Sequence, residues 1–578
     1  MKNKSTVALI LILVLSAAFR LTGVNWDQNQ HLHPDERFMV MVSNAVSLPQ
    51  NLVSYFDTKQ SPLNPHNSGY SFYVYGDFPL TLVKAVSVLS KMDSYNGTLI
   101  VGRTTSAIFD ILTVFLIYLI SLRITSKKST ALLSSLLYSI SVLPIQLSHF
   151  FAVDTFLVFY LVLSLYLLLI LFDRRSYFVS VLLGLSFALA VSCKISALLF
   201  APIIVIGYIF ILFKKHQNVL KVLLEGIVAL IIFCIGIKLF YPYLFASPGL
   251  FSIQLNPQLI GNFQELQEWG KPNLYFPPAV MWLNYPRLFY SFINAILWGW
   301  GIPLGIFSLT SFFVAAIIFR RNQKIILIIL SVLIVWIYQM TQLAQPMRYF
   351  FPAYPMIAVL SGIVLSKILN KQSNKKLFYL FLSLIIIWPL AFQTIYQRPH
   401  SRVSASSWIY RNIPSGSRIY CEEWDDCLPL SFTSVYNSGL YNIVSFPIYG
   451  QPDNNAKWME LQQKILQMDY IILSSNRVYG STMTVPQNYP LTTKFYTQLF
   501  NGSLGYTKIA EFTSRPNLPI PGIHLCLTPL DTRYGKIAFS SQECPLPGIS
   551  FVDDYSDETF TVYDHPKVII FRKILNSK

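Results

Sequence analysis

Apolar runs long enough to cross a bilayer recur through the first two thirds of this chain, and no other feature narrows its fold so far. A hydrocarbon core takes roughly 20 helical residues to span. Runs of that order lie near residues 6–24, 98–120, 130–147, 155–172, 177–193, 197–213, 222–241, 290–319, 325–341, 350–366 and 377–395. About eleven transmembrane helices are therefore expected. Charged residues make up 12% of the 578 positions, against about a quarter in an average soluble domain. No small-residue cleavage site follows the first run, which is read as a retained helix and not a signal peptide.

The net charge of +17 does not call for a nucleic-acid partner. Basic residues gather in short connections, at Arg123, Lys127 and Lys128, at Arg174 and Arg175, at Lys214, Lys215 and Lys221, at Arg320, Arg321 and Lys324, and from Lys367 to Lys376. These fall on alternate loops, on the same side as Lys2 and Lys4, which is the positive-inside pattern. Contact with anionic headgroups would be a by-product. The N-terminus is thus expected in the cytoplasm of a multi-pass plasma-membrane protein. Residues after about 396, and the loops 25–97, 148–154, 242–289 and 342–349, are expected outside.

Two parts follow: a membrane domain over 1–396 with large exterior loops at 25–97 and 242–289, and an extracytoplasmic α/β domain over 397–578. In the latter, "SASSWIYRNI" has helical spacing and is ended by "PSGS", "NAKWMELQQKILQM" is an amphipathic helix, and "YIILSS" and "KVIIFRKI" read as strands. Cys193 and Cys234 lie in apolar runs, whereas Cys421, Cys427, Cys526 and Cys544 lie in the exterior part, where disulfides form. Loop length favours Cys421–Cys427 with Cys526–Cys544. The acidic stretch "CEEWDDC" then reads as a stapled loop and not as a catalytic centre.

Titratable residues concentrate in "NQHLHPDERFMV", residues 29–40. Pro34 suits a first helical turn, and Asp35 and Glu36 there favour the helix dipole, so an interfacial helix accounts for them without chemistry. His31, His33 and Arg37 beside them at a membrane boundary point to a site instead. Adjacent carboxylates diverge, which disfavours a glycosidase-type pair and favours a single base, Asp35, with a neighbouring orienter. His149 and Asp154 bracket an exterior turn in "QLSHFFAVDTFL". Lys194 in "AVSCKISALL" is either a snorkelling lysine or a phosphate partner. Arg348 in "QPMRYFFPAYP" and Arg103 in "IVGRTTSAIFD" complete the set. Solvated helix ends account for each of these singly. Together they come from six segments on one expected face. There a carboxylate can activate a nucleophile while cations stabilise a departing phosphate.

These segments carry a resemblance. "HPDER" resembles the acidic motif in the first exterior loop of GT-C glycosyltransferases, and "SHFFAVDTFL" resembles the second acidic motif of family 39, the protein-mannosyltransferase and aminoarabinose-transferase branch. "CKISALL" and "MRYFFPAYP" are similar to its Lys and Arg-Tyr positions, and "SSWIYRNIPSGSRIYCEEWDDCLPL" and "FTVYDHPKVIIFRK" to prokaryotic, phospholipid-carrier-dependent members. The resemblance implies a GT-C-type membrane glycosyltransferase that moves a sugar from a polyprenyl-phosphate-linked donor to an acceptor hydroxyl, with inversion. The acceptor is left open among protein, lipid and glycan. Asp35 would be the general base supported by Glu36, and Asp154 a second acid in the same cavity. Arg37, Lys194 and Arg348 would meet the donor phosphate, with Arg103 and His149 as candidates by topology. The H-x-H of His31 and His33 departs from the branch, and with Asp35 it would offer ligands to a divalent metal. The alternatives are a transporter or lipid flippase, which would favour midplane charges and repeated halves, and a non-catalytic envelope protein.

Overall fold

A computed structural model describes residues 2–214, 218–247, 249, 252–271, 277–284, 287–371, 375–528 and 544–574. Among the described residues, eight helices are long and apolar enough to cross a membrane, and nine if one bent pair counts as a span. A helix satisfies its backbone hydrogen bonds internally, which hydrocarbon demands. Each of the eleven expected spans falls on an apolar helix or helix pair, so the lower number reflects breaks and length. Tyr177–Cys193 has 17 residues. The run at 130–147 is two helices, Lys128–Ser139 and Val142–Ser148, bent by 61°. The run at 290–319 is broken between Gly299 and Ile302. Gly301 makes that break possible: its φ is +81°, and a Cβ there would lie 2.6 Å from the Trp388 ring.

Polar knots tie the apolar helices together. Arg20 in Lys2–Leu21 donates from Nε to Asp110 of Tyr95–Thr125 at 2.5 Å, and from Nη1 to the Ser139 carbonyl at 3.0 Å. The Tyr138 hydroxyl donates to the other Asp110 oxygen at 2.5 Å. Arg20 and Asp110 are fully buried. A charge so buried is stable only when paired, so the knot fixes three helices in one register.

The C-terminal part is built on a five-stranded sheet. Its strands are β1 (Arg418–Glu422), β2 (Asn442–Phe446), β3 (Tyr470–Leu473), β4 (Tyr506–Phe512) and β8 (Val568–Lys573), in the order β2-β1-β3-β8-β4. β1 pairs in parallel with β2 and β3, whereas β8 is antiparallel to β3 and β4. Successive side chains point to opposite faces, and both faces are covered. Ile472 and Ile570 pack with Ile409 and Ile413 of helix Ser401–Asn412 and its end. Ile471 and Phe571 pack with Leu461 and Ile465 of Asn455–Ile465 and with Phe495 of Pro490–Phe500. The sequence reading placed both apolar strands and both of the helices it named here. A second sheet, β5 (Asn517–Leu518), β7 (Gly548–Phe551) and β6 (His524–Leu527), lies alongside. Disulfides join Cys421 to Cys427 and Cys526 to Cys544, the pairing that loop length favoured.

Candidate active site

The helix Pro34–Ala45 starts as its sequence dictates. His33 is extended, with φ −89° and ψ 114°, and its imidazole Nδ1 accepts the Glu36 N–H at 3.4 Å. Pro34 at the first position loses nothing by lacking an N–H. Burial pushes the His33 imidazole down to about 3, so it stays neutral and able to accept. Its ring stacks on Tyr563 with centroids 3.9 Å apart.

Asp35 and Glu36 then diverge into different surroundings. Glu36 is fully buried and takes two hydrogen bonds from Arg103, at 2.8 and 2.7 Å, and one from the Phe151 N–H at 2.7 Å. Arg103 also pairs with Asp27 at 3.0 and 2.9 Å, and its guanidinium lies 4.5 Å over the Trp26 ring. Asp27, Glu36 and Arg103 therefore form a closed structural triad with no exposed side-chain surface. The triad sets Glu36 and Arg103 apart from the sequence-named group at Asp35, because every face of the guanidinium is already used.

Asp35 turns the other way. Its Oδ2 accepts from Arg348 Nη1 at 2.5 Å, and about a quarter of its side chain is open, at 28%. Burial alone would raise this carboxyl, yet the neighbouring Arg348 charge holds it down to about 2. Arg348 and Tyr349 sit on the tight 3-10 turn Met347–Ala353. On the same Tyr349 ring lies Lys194 Nζ, 4.9 Å from its centroid, with Arg348 at 5.6 Å. Lys194 caps the end of helix Tyr177–Cys193 and pairs at 3.5 Å with Asp154, the first residue of helix Asp154–Asp173. So Asp35, Arg348, Lys194 and Asp154 form one cluster of two carboxylates and two cations around a single aromatic ring. Tyr75 adjoins it: the charges of Asp35, Arg348 and Asp154 act on its hydroxyl, which burial keeps protonated. Tyr75 carried no signal in the sequence, since the chain holds 34 tyrosines and nothing marks this one, whereas Tyr349 stands in the Arg-Tyr position named above.

The remaining candidates lie elsewhere. Arg37 reaches the stapled loop and pairs with Asp426 at 2.9 Å. His149 is a packing residue, stacked on Tyr396 with centroids 3.6 Å apart and with its ring nitrogens 2.8 and 3.0 Å from the Ile145 and Thr22 carbonyls. His31 stacks on Tyr95 and bonds Asn96 at 2.9 Å. The metal set suggested by His31, His33 and Asp35 is thus not assembled: one imidazole faces Asn96 and the other caps a helix. Among the described residues no three His, Cys, Asp or Glu side chains converge as a metal site. A polar cavity of about 200 Å³ adjoins Pro34 and Arg37 on one side and Trp424, Asp425, Asp426 and Arg477 on the other. The loop read as a mere staple therefore faces the helix that carries Asp35.

Comparison with known proteins sets this geometry in context. Residues 54–246 match the model of the family described as dolichyl-phosphate-mannose-protein mannosyltransferase. The structure is similar to the archaeal oligosaccharyltransferase AglB of Archaeoglobus fulgidus, solved with an inhibitory peptide and a dolichol-phosphate, at a TM-score of 0.51 and 15% identity. That likeness covers 86% of this chain and 72% of that one. The oligosaccharyltransferase of the same organism tethered to an acceptor peptide gives 0.52 and 16% over the same shares. The chain has the GT-C fold. A protein of Aquifex aeolicus (strain VF5) described as "Uncharacterized protein" is 26% identical over 286 residues, 50% of this chain and 52% of that protein. The chain thus spans about half the length of the curated relative it matches. Within the GT-C frame, the family match contains Asp154 and Lys194, and Asp35 and Arg348 flank it on either side in sequence.

Proposed function

We propose that this chain is a membrane glycosyltransferase that moves a sugar from a polyprenyl-phosphate-linked donor to an acceptor hydroxyl on the extracytoplasmic face, with inversion. The observation that carries the reading is the Asp35–Arg348 pair beside Lys194–Asp154 on Tyr349. The family match over 54–246 and the GT-C fold support it. The donor phosphate binds Arg348 and Lys194, displacing Asp35 from the guanidinium and leaving its carboxylate free. The acceptor oxygen then attacks the anomeric carbon from the face opposite the phosphate. As the carbon–oxygen bond to phosphate breaks, the acceptor proton passes to Asp35, and polyprenyl phosphate departs as an anion held by the two cations. Asp154 positions Lys194 through the rest state.

The positive-inside pattern supports a cytoplasmic N-terminus and a C-terminal domain outside. Membranes carrying the protein, incubated with labelled polyprenyl-phosphate sugars, should pass label to an acceptor, and Asp35→Asn should abolish that transfer while the protein still folds. Near-normal turnover by Asp35→Asn sinks the base assignment. Flipping of the labelled lipid without transfer replaces the whole reading by transport.

A further inference from the structure

The connection between β7 and β8, residues 552–567, leaves the small sheet and returns to the large one by way of the membrane part. On the way it touches the residues that lead into both partners of the Asp35–Arg348 pair, Met347 and His33. Asp557, fully buried, accepts the Met347 N–H on Oδ2 at 2.5 Å, and Met347 opens the turn that carries Arg348. The other Asp557 oxygen accepts the Thr559 N–H and hydroxyl at 3.0 Å each, and Asn294 accepts the Asp557 N–H at 2.8 Å. Six residues on, Tyr563 stacks on His33, the cap of the helix that carries Asp35. The charges of Arg348 and Asp35 act on the Tyr563 hydroxyl.

The connection is itself held against the membrane part. His565 lies between Asp564 at 2.5 Å and Asp553 at 2.8 Å. Asp564 accepts from Gln146 at 3.0 Å, on the helix after the 61° bend, and from the Tyr396 hydroxyl at 2.8 Å. Such a buried network, with every member satisfied, makes a stiff support.

We infer that the 552–567 connection is a positioning clamp that sets the Asp35–Arg348 pair, with Asp557 and Tyr563 as its two contact points. Neither residue is a catalytic residue: Asp557 acts through the Met347 backbone, and Tyr563 through His33 and the Arg348 side chain. The clamp rests on the proposed function only in that the pair it sets is taken as the donor-phosphate site.

A double-mutant cycle tests it on the purified full chain in detergent, with undecaprenyl phosphate as probe. Asp557→Asn keeps one acceptor oxygen and turns the other into an NH2 group, so it cannot receive both the Met347 N–H and the Thr559 N–H. It should lower the melting temperature by several degrees without ligand and raise the Kd for undecaprenyl phosphate about tenfold, with both effects falling to about half or less in an Arg348→Gln background. Tyr563→Leu, which removes the ring stacked on His33, should show the same coupling at smaller amplitude and serves if Asp557→Asn does not fold. Equal effects in both backgrounds, for melting and for binding, overturn the clamp. Coupled melting in a protein that binds no undecaprenyl phosphate supports the clamp and overturns the donor reading.

Discussion

Two neighbouring carboxylates, Asp35 and Glu36, show how one helical step divides a partly open ion pair from a fully buried one. Glu36 and Asp27 share one guanidinium with no solvent access, so Glu36→Gln leaves Arg103 short of a charged partner in a dry site. Breaking a buried pair on one side costs about 3–5 kcal/mol. Glu36→Gln should therefore lower the melting temperature sharply and cut yield, and calorimetry in detergent checks it. Asp35→Asn, at a pair with side chains 28% and 20% open, should lower that temperature less than Glu36→Gln, because solvent screens the pair. The folded carboxyl of Asp35, at about 2, lies below its ordinary value of 3.8. Its pairing thus contributes stability above that ordinary value, and this is lost as the pH falls through about 4 towards 2. Asp35 was legible from sequence alone, because titratable groups at a membrane boundary are costly and stand out. The sequence reading named Asp35 as the base and Glu36 as its support, but the pairing that ties Glu36 up depends on Arg103, 67 residues further on.

Among the elements, hydropathy located every apolar helix, and it failed where a helix breaks without becoming polar. Pro144 in Val142–Ser148 and Gly301 before Ile302–Ile318 interrupt runs that remain apolar throughout. The 3-10 turn Met347–Ala353 is likewise hidden inside a hydrophobic stretch, although it presents Arg348 and Tyr349. In the C-terminal part the short apolar strands Tyr470–Leu473 and Val568–Lys573 were legible, whereas the route of the 552–567 connection was not, because its partners lie in distant segments. One strand carries a pH response. Glu422 at the end of β1 is buried against the Tyr496 hydroxyl, and burial pushes its carboxyl from 4.5 up to about 8. A raised acid binds a proton on folding, so it lowers stability as the pH rises from about 4.5 to 8, with no further loss above. Glu422→Gln should flatten that part of the profile and stabilise the domain at pH 8, by on the order of 3 kcal/mol. Chemical unfolding followed by near-ultraviolet dichroism from pH 5 to 9 measures it.

At the scale of the molecule, the two parts are joined by side chains and not by the linker alone. Arg37 meets Asp426, which also pairs with Arg402 at 3.0 Å, while Asp564 meets Gln146 and Tyr396. A chain cut before residue 552 should thus lose carrier binding even though every apolar helix is retained, and undecaprenyl phosphate binding to the shortened protein in detergent decides the point. The basic loops that suggested sidedness predict that protease added to intact cells reaches residues 397–574 only once any outer barrier is opened. The buried knot of Arg20, Asp110 and Tyr138 bears on how such a molecule is made. The first helix ends in a guanidinium whose partner lies 90 positions later. During synthesis, that helix carries an unneutralised charge until the helix Tyr95–Thr125 has entered the bilayer beside it, so the connection between the two helices is still untied when it is made. The segment that holds Asp35 meets Arg103 only with that same helix, and Arg348 only 313 positions after Asp35, which makes the candidate site a late product of assembly.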